Sequence, residues 1–138
     1  MRIGRLLVTV LAAAVAVAGC GSADVAREPV QFTERSPLPS CGTFEATALS
    51  LTAEQRVMVD CILRAAEDGT PRELDLTRPG TDCCELRTVL RVLRQGDVVM
   101  FTARDGREWA RWECESIGFT GEPFGFPEGK SCAEHLSL

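Results

Sequence analysis

The sequence predicts a small α+β domain, in which one helix packs on a three- to four-stranded antiparallel meander stapled by disulfides. Three observations lead to this fold class. A helical pattern with start and stop signals covers residues 51–69. Short β-prone runs separated by turn signals follow between residues 72 and 114. Six cysteines lie beyond residue 40, which is typical of small exported domains held together by disulfides.

A length of 138 residues is typical of a single domain. Residues 1–19 hold two of the 15 basic side chains and none of the 20 acidic ones, so the rest carries 13 − 20 = −7. A net acidic domain argues against binding to nucleic acid or anionic lipid, because both depend on clustered cations. The composition excludes a multidomain enzyme and a bundle of membrane-spanning helices.

The first 19 residues have the pattern of a signal peptide. Arg2 and Arg5 precede an apolar stretch from Leu6 to Ala18. As a helix this stretch would span about 20 Å, which is short of the roughly 30 Å hydrocarbon core of a membrane. It ends in Val17-Ala18-Gly19-Cys20, which resembles a bacterial lipobox. The resemblance implies lipidation of Cys20 and an exported protein anchored to the outer face of the cell membrane.

Residues 20–40 contain three prolines, scattered charges and no apolar periodicity, which predicts a flexible tether. Such a tether would reach at most about 70 Å. The alternative is a first strand within Val30-Gln31-Phe32. The small α+β domain is predicted over residues 41–117, and residues 118–138 are predicted to be an irregular Gly/Pro/Phe tail tied by Cys132.

The helix is predicted from its two ends and its apolar stripe. Thr52 and Gln55 have the spacing of a capping box, and Gly69 can adopt the left-handed conformation that ends a helix. Apolar side chains recur at intervals of three and four residues, which predicts one buried stripe formed by Met58, Cys61, Ile62 and Ala65.

The strands are predicted from alternation and from turn signals. Residues 85–94 fit both a helix and a strand, and a strand is favoured because Gln95-Gly96 predicts a tight turn into a β-prone run. Asp105-Gly106 is a strong hairpin signal. The predicted strands cover residues 72–77, 85–94, 98–102 and 108–114. In the tail, Phe119, Phe124 and Phe126 are expected to pack over the sheet, with an exposed binding patch as the alternative.

Beyond Cys20, six cysteines can form up to three disulfides in an oxidising environment: Cys41, Cys61, Cys83, Cys84, Cys114 and Cys132. Six cysteines permit 15 connectivities. Cys114 shares a strand face with Trp112 and Cys61 lies on the inward stripe of the helix, which favours a Cys61–Cys114 bond. Its rival is Cys41–Cys114, which would require residues 41–46 to form an edge strand.

The adjacent Cys83 and Cys84 have three interpretations. Bridges to separate partners are favoured, because neighbouring strand residues point to opposite faces. A vicinal disulfide would be unusually reducible and could act as a redox switch. The third interpretation leaves one thiol free.

The order of these features carries a family resemblance. A lipobox and tether precede Cys41-Gly42, then a helix bearing a cysteine, an extended segment, a hairpin pair and a closing Cys114. Between Leu51 and Ile117 this order resembles small surface lipoproteins of Gram-positive bacteria, chiefly actinobacteria, which carry a domain of unknown function. The chain departs from them at residues 81–84, where they carry a Gly-Asp-Pro turn, and in its tail. The family has no assigned activity, so the resemblance implies location and fold.

No catalytic residue, cofactor or bound metal is predicted. His135 is the single histidine and lies near the C-terminus, and neither a CxxC nor an HxxxH pair occurs. Carboxylate pairs are interpreted as solvated surface groups: Glu67-Asp68 and Glu113/Glu115. Arginines at four positions are interpreted as ion-pair partners of Glu108 or Glu113 rather than as an anion site: Arg87, Arg91, Arg107 and Arg111.

The sequence therefore predicts a non-enzymatic, monomeric surface lipoprotein that binds a protein or envelope component and contacts the membrane through Cys20. Two alternatives are a redox-active surface protein that uses Cys83-Cys84 and a protease-inhibitor-like module. The latter would present the loop at residues 78–84 or 119–130.

Overall fold

A computed structural model describes residues 28–47, 50–80, 84–119 and 125–137. Its elements are α1 (Val30–Thr33), β1 (Ser40–Glu45), α2 (Ala53–Asp68), β2 (Arg72–Pro79), β3 (Glu85–Val92), a 3₁₀ turn (Arg94–Gly96), β4 (Val98–Arg104), β5 (Glu108–Phe119) and β6 (Pro127–Ser137). The six strands lie side by side in chain order. The β1–β2 pair is parallel, and the other four pairs are antiparallel.

The predicted fold class is wrong, because the chain forms a six-stranded mixed sheet instead of a three- to four-stranded antiparallel meander. The additional strands are β1 and β6, one at each edge. The predicted strands leave out β1 because a short edge strand carries little alternation. The strand is parallel to β2 because α2 forms the crossover connection between them. The predicted strands also leave out β6 because Pro127 and Gly129 are poor strand formers, whereas pairing along β5 holds this segment extended.

The long helix is confirmed. Thr52 accepts a hydrogen bond from the Gln55 backbone N–H at 3.2 Å, and the Gln55 side chain accepts one from the Thr52 N–H at 2.9 Å. Gly69 ends the helix with a φ of 64°, the left-handed region that glycine adopts without strain. The fully buried positions of α2 are Val59, Ile62 and Ala65, whereas Met58 and Cys61 are half-buried.

The strand assignment of residues 85–94 is confirmed over Glu85–Val92. The Asp105-Gly106 hairpin also forms, with φ values of 49° and 66° at the two positions, and joins β4 to β5. Positive φ at both positions matches the twist of the flanking strands.

The sheet has two covered faces, because successive strand side chains point in opposite directions. On the helix face, α2 packs over β1, β2 and β3, and the core is formed by Phe44, Ala46, Val59, Ile62, Ala65, Leu74, Leu76, Leu90, Val92 and Phe126. We call the opposite face the arginine face, because it carries Arg87, Arg91 and Arg111. It has a second core, formed by Phe32, Val89, Val99, Phe101, Ala103 and Trp109.

The N-terminal segment, defined as residues 28–39, packs on the arginine face instead of forming the flexible tether predicted for residues 20–40. Phe32 lies on α1 and is 1% exposed. Its ring centroid lies 5.4 Å from that of Phe101 and 4.4 Å from that of Trp109. The strand suggested for Val30-Gln31-Phe32 is a turn of helix. The folded region therefore begins before the boundary predicted at residue 41.

The C-terminal boundary also differs from the prediction. Instead of an irregular tail from residue 118, β5 continues to Phe119 and β6 covers Pro127–Ser137. Phe126 is buried at 2% exposure, as expected of the phenylalanines, whereas Phe119 is 45% exposed. Phe124 lies outside the described residues.

Candidate functional site

A cleft of about 600 Å³ lies on the helix face, at the end of the sheet where the β4–β5 hairpin turns. We call it the hairpin cleft. It is lined by strand and turn residues: Leu86, Thr102, Arg104, Arg107, Glu108, Trp109, Ala110 and Glu134. Thr102 and Ala110 are cross-strand partners, so two small side chains form adjacent positions of its floor. The helix α2 contacts β1, β2, β3 and β5, but none of its residues lines the cleft.

The charges of the hairpin cleft are concentrated at its turn. Arg104 ends β4, opposite Glu108 of β5, and Arg107 belongs to the turn between them. Both arginines are exposed, and within the described ranges neither guanidinium makes an ion pair. An unpaired guanidinium offers five N–H donors in a planar fork that fits a carboxylate or a phosphate. The turn thus presents two such groups to whatever occupies the cleft.

An indole holds the hydroxyl of Thr102, a residue that lines the cleft. Trp112 donates its Nε1–H to the Thr102 hydroxyl at 3.0 Å, and Met100 is the cross-strand partner of Trp112. The Thr102 hydroxyl therefore accepts from the indole and keeps its own proton for another acceptor.

The arginines of the opposite face are held in ion pairs, as the sequence predicted, but only Arg111 has a predicted partner, Glu113. Arg107, predicted to be ion-paired as well, makes no ion pair among the described residues. Arg87 binds Asp75 through two hydrogen bonds, at 3.1 and 2.7 Å, and also contacts Glu28 at 2.6 Å. The hydrogen bonds to Asp75 raise the pKa of Arg87 above its ordinary value, although burial acts in the opposite direction. Arg111 pairs with Glu113 at 2.8 Å, and the predicted partner Glu108 lies on the other face.

Arg91 is the most buried arginine of the described ranges, with 7% of its surface exposed. Its Nε lies 2.8 Å from Glu73, and it donates to the backbone oxygen of Ser36. Glu73 also receives two hydrogen bonds from Arg35, at 3.0 and 2.9 Å. Burial lowers the pKa of Arg91, while the charge of Glu73 opposes that change. The carboxylate of Glu73 thus bridges a sheet arginine and an arginine of the N-terminal segment.

The predicted Cys61–Cys114 bond is wrong, as is its rival, Cys41–Cys114. Cys61 pairs with Cys41, which ties α2 to β1, and Cys114 pairs with Cys132 of the neighbouring strand β6. The prediction paired the cysteine of the helix with that of β5 because β6 was not recognised and an edge strand at residues 41–46 was considered only for the rival pair. Once those strands form, each cysteine has a closer partner: the Cα–Cα distances are 5.6 and 4.0 Å.

Cys84 lines a second cleft of about 380 Å³, together with residues from the ends of β1 and β2 that include Glu45, Thr77 and Arg78. Cys83 lies outside the described residues, as does the lipobox with Cys20. The same holds for residues 81–83 and 120–124, which belong to the two loops named for an inhibitor. No helix of the described residues is long and apolar enough to cross a membrane.

The remaining candidate groups lie at the surface. His135 is not in a loose terminus but in β6, where its Nε2 lies 3.1 Å from Glu113. Glu67, Asp68 and Glu115 are exposed, as interpreted from the sequence. In the described ranges, histidine, cysteine and acidic side chains form no group of three or more that could hold a metal ion.

Comparisons with known protein families, with curated proteins and with solved structures each found no match. The candidate site therefore rests on geometry alone. Sequence reasoning singled out Arg107 and Glu108 but not the cleft they line. The available signal was the Asp105-Gly106 turn, because a hairpin places the residues on either side of it together at one end of the sheet.

Proposed function

We propose that this protein is a lipid-anchored module on the outer face of the cell membrane, which binds an anionic group of a protein or envelope component in the hairpin cleft. The observation that carries the proposal is the pair of exposed, unpaired arginines, Arg104 and Arg107, at the end of a cleft of about 600 Å³. The lipobox ending at Cys20 and the two disulfides support an exported location.

Charge and shape together favour this ligand chemistry. The lining of the cleft holds two carboxylates, Glu108 and Glu134, as well as the two arginines, and the two guanidiniums without an ion pair are the groups that can bind a carboxylate or phosphate. The hydroxyl of Thr102 adds a donor beside them, and the small side chain of Ala110 leaves room for the non-ionic part of the ligand. Binding and orientation are the roles assigned to these residues, and no chemical step is assigned to them.

Photo-crosslinking in intact cells tests the proposal. With p-benzoylphenylalanine replacing the exposed Glu108, we expect one dominant adduct, reduced at least tenfold when Arg104 and Arg107 are both changed to alanine. Each lost charge-assisted hydrogen bond costs roughly 1.5–3 kcal/mol, and about 1.4 kcal/mol corresponds to a factor of ten.

Two controls sharpen the experiment. The same photo-reactive residue at Glu67, on the exposed side of α2, should yield no such adduct. Replacing Arg56 and Arg94, two exposed arginines that do not line the cleft, should leave the adduct at its wild-type level. An adduct that survives the Arg104/Arg107 change, or no adduct at all, would reject the proposal.

A further inference from the structure

We propose that the N-terminal segment acts as a docked strap that holds the domain close to the membrane, with the arginine face toward the bilayer and the hairpin cleft away from it. This inference rests on the lipid anchor of the proposed function. The segment begins only eight residues after the predicted lipidation site, Cys20, and its contacts with the sheet start at its first residue, Glu28.

The apolar part of the strap is a single side chain in a preformed socket. Phe32 enters between Phe101 and Trp109, and the guanidinium carbon of Arg35 lies 3.8 Å from the centroid of its ring. The same arginine donates to the Phe32 backbone oxygen at 2.7 Å. Phe32 is thus covered on both sides, by the sheet and by its own segment.

The polar part of the strap makes three contacts with charged side chains of the sheet. Glu28 pairs with Arg87 at the start, Arg35 pairs with Glu73 near the middle, and the backbone oxygen of Ser36 accepts from Arg91. Charge-assisted hydrogen bonds are stronger than neutral ones, and the last two involve groups that are largely removed from water. Their spacing over nine residues fixes the direction of the chain as well as its position.

Docking shortens the connection to the membrane. If residues 20–40 were a free tether, the chain could reach at most about 70 Å. With contacts beginning at Glu28, eight peptide steps remain after Cys20, and they reach at most about 29 Å. This maximum reach is shorter than the diameter of a domain of this size, which is about 35 Å for a radius of gyration near 13 Å. The arginine face, where the connection arrives, is therefore held toward the bilayer.

Two insertions of the same linker test this arrangement in the full lipidated chain. A 12-residue Gly/Ser linker has an average end-to-end distance of about 19 Å by itself. Placed between Arg27 and Glu28, it lengthens the free connection. Placed between Pro37 and Leu38, it lies between the Ser36 contact and the Pro39 backbone oxygen, which accepts from the Glu73 N–H at 3.0 Å. There it loops out and leaves the attachment point unchanged. The probe is energy transfer from the native tryptophans to dansyl-phosphatidylethanolamine in phosphatidylcholine vesicles.

We expect the 27/28 insertion to lower the transfer efficiency at least about twofold, and the 37/38 insertion to leave it at the wild-type value. Equal losses for the two insertions, or no loss for either, would overturn the strap. A wild-type chain that does not bind the vesicles would instead overturn the anchor and the proposed function with it. Emission of Trp109, read in a Trp112→Phe background in detergent, reports docking independently and should stay blue-shifted in both insertion variants.

Discussion

Replacing Phe32 by alanine is expected to lower the free energy of unfolding by about 3–5 kcal/mol, the usual cost of removing a buried phenylalanine. The side chain is 1% exposed and contacts the rings of Phe101 and Trp109. Its loss leaves a cavity in the core of the arginine face. It also removes the one side chain of the N-terminal segment that belongs to this core. Urea denaturation followed by far-UV circular dichroism measures the effect.

Val30→Ala is the matched control for this prediction. Val30 begins the same turn of helix but is 63% exposed, so its truncation should change the free energy of unfolding by less than about 0.5 kcal/mol. If the Phe32 and Val30 variants were equally stable, residues 28–39 would not belong to the folded domain.

Replacing Glu73 by glutamine is expected to cost about 3 kcal/mol, because it leaves the buried Arg91 without its carboxylate. The side chains of Glu73 and Arg91 are 17% and 8% exposed. Because Glu73 retains some contact with water, the expected loss of unfolding free energy lies at the low end of the range for buried ion pairs. The same change removes the charge that Arg35 binds, so the N-terminal segment should loosen as well. Its loosening would appear as a red shift of Trp109 emission.

Glu113→Gln provides the comparison at an exposed pair. Glu113 binds Arg111 at 2.8 Å on the same face but is 47% exposed. Exposed ion pairs contribute between zero and about 1 kcal/mol, so this variant should remain close to wild type. A Glu73→Gln chain as stable as Glu113→Gln would contradict the role given to the buried carboxylate.

Local signals in the sequence were enough to predict the middle of the domain. The capping box at Thr52, the left-handed Gly69 and the Asp105-Gly106 turn each act over a few residues, and all three are found as expected. The edge strands were missed because their extended conformation depends on a partner far along the chain. For β6 that partner is β5, and the Cys114–Cys132 bond reinforces the pairing.

The same distinction explains the site. The exposed Arg107 and Glu108 could be singled out from the sequence, but the cleft depends on where α2 lies across the sheet, which no local pattern encodes. The N-terminal segment was interpreted as a tether because its prolines and charges match that composition. The segment is nevertheless docked on the sheet, because Phe32 packs against Trp109 and Arg35 pairs with Glu73.

Non-reducing peptide mass mapping of the mature protein tests the central claim most directly, which is that a lipid-anchored domain is closed by two specific disulfides. We expect an N-terminal peptide that starts at Cys20 and carries the mass of its lipid, together with linked peptides joining Cys41 to Cys61 and Cys114 to Cys132. An unmodified Cys20 in the membrane fraction, or a peptide joining Cys61 to Cys114, would contradict it.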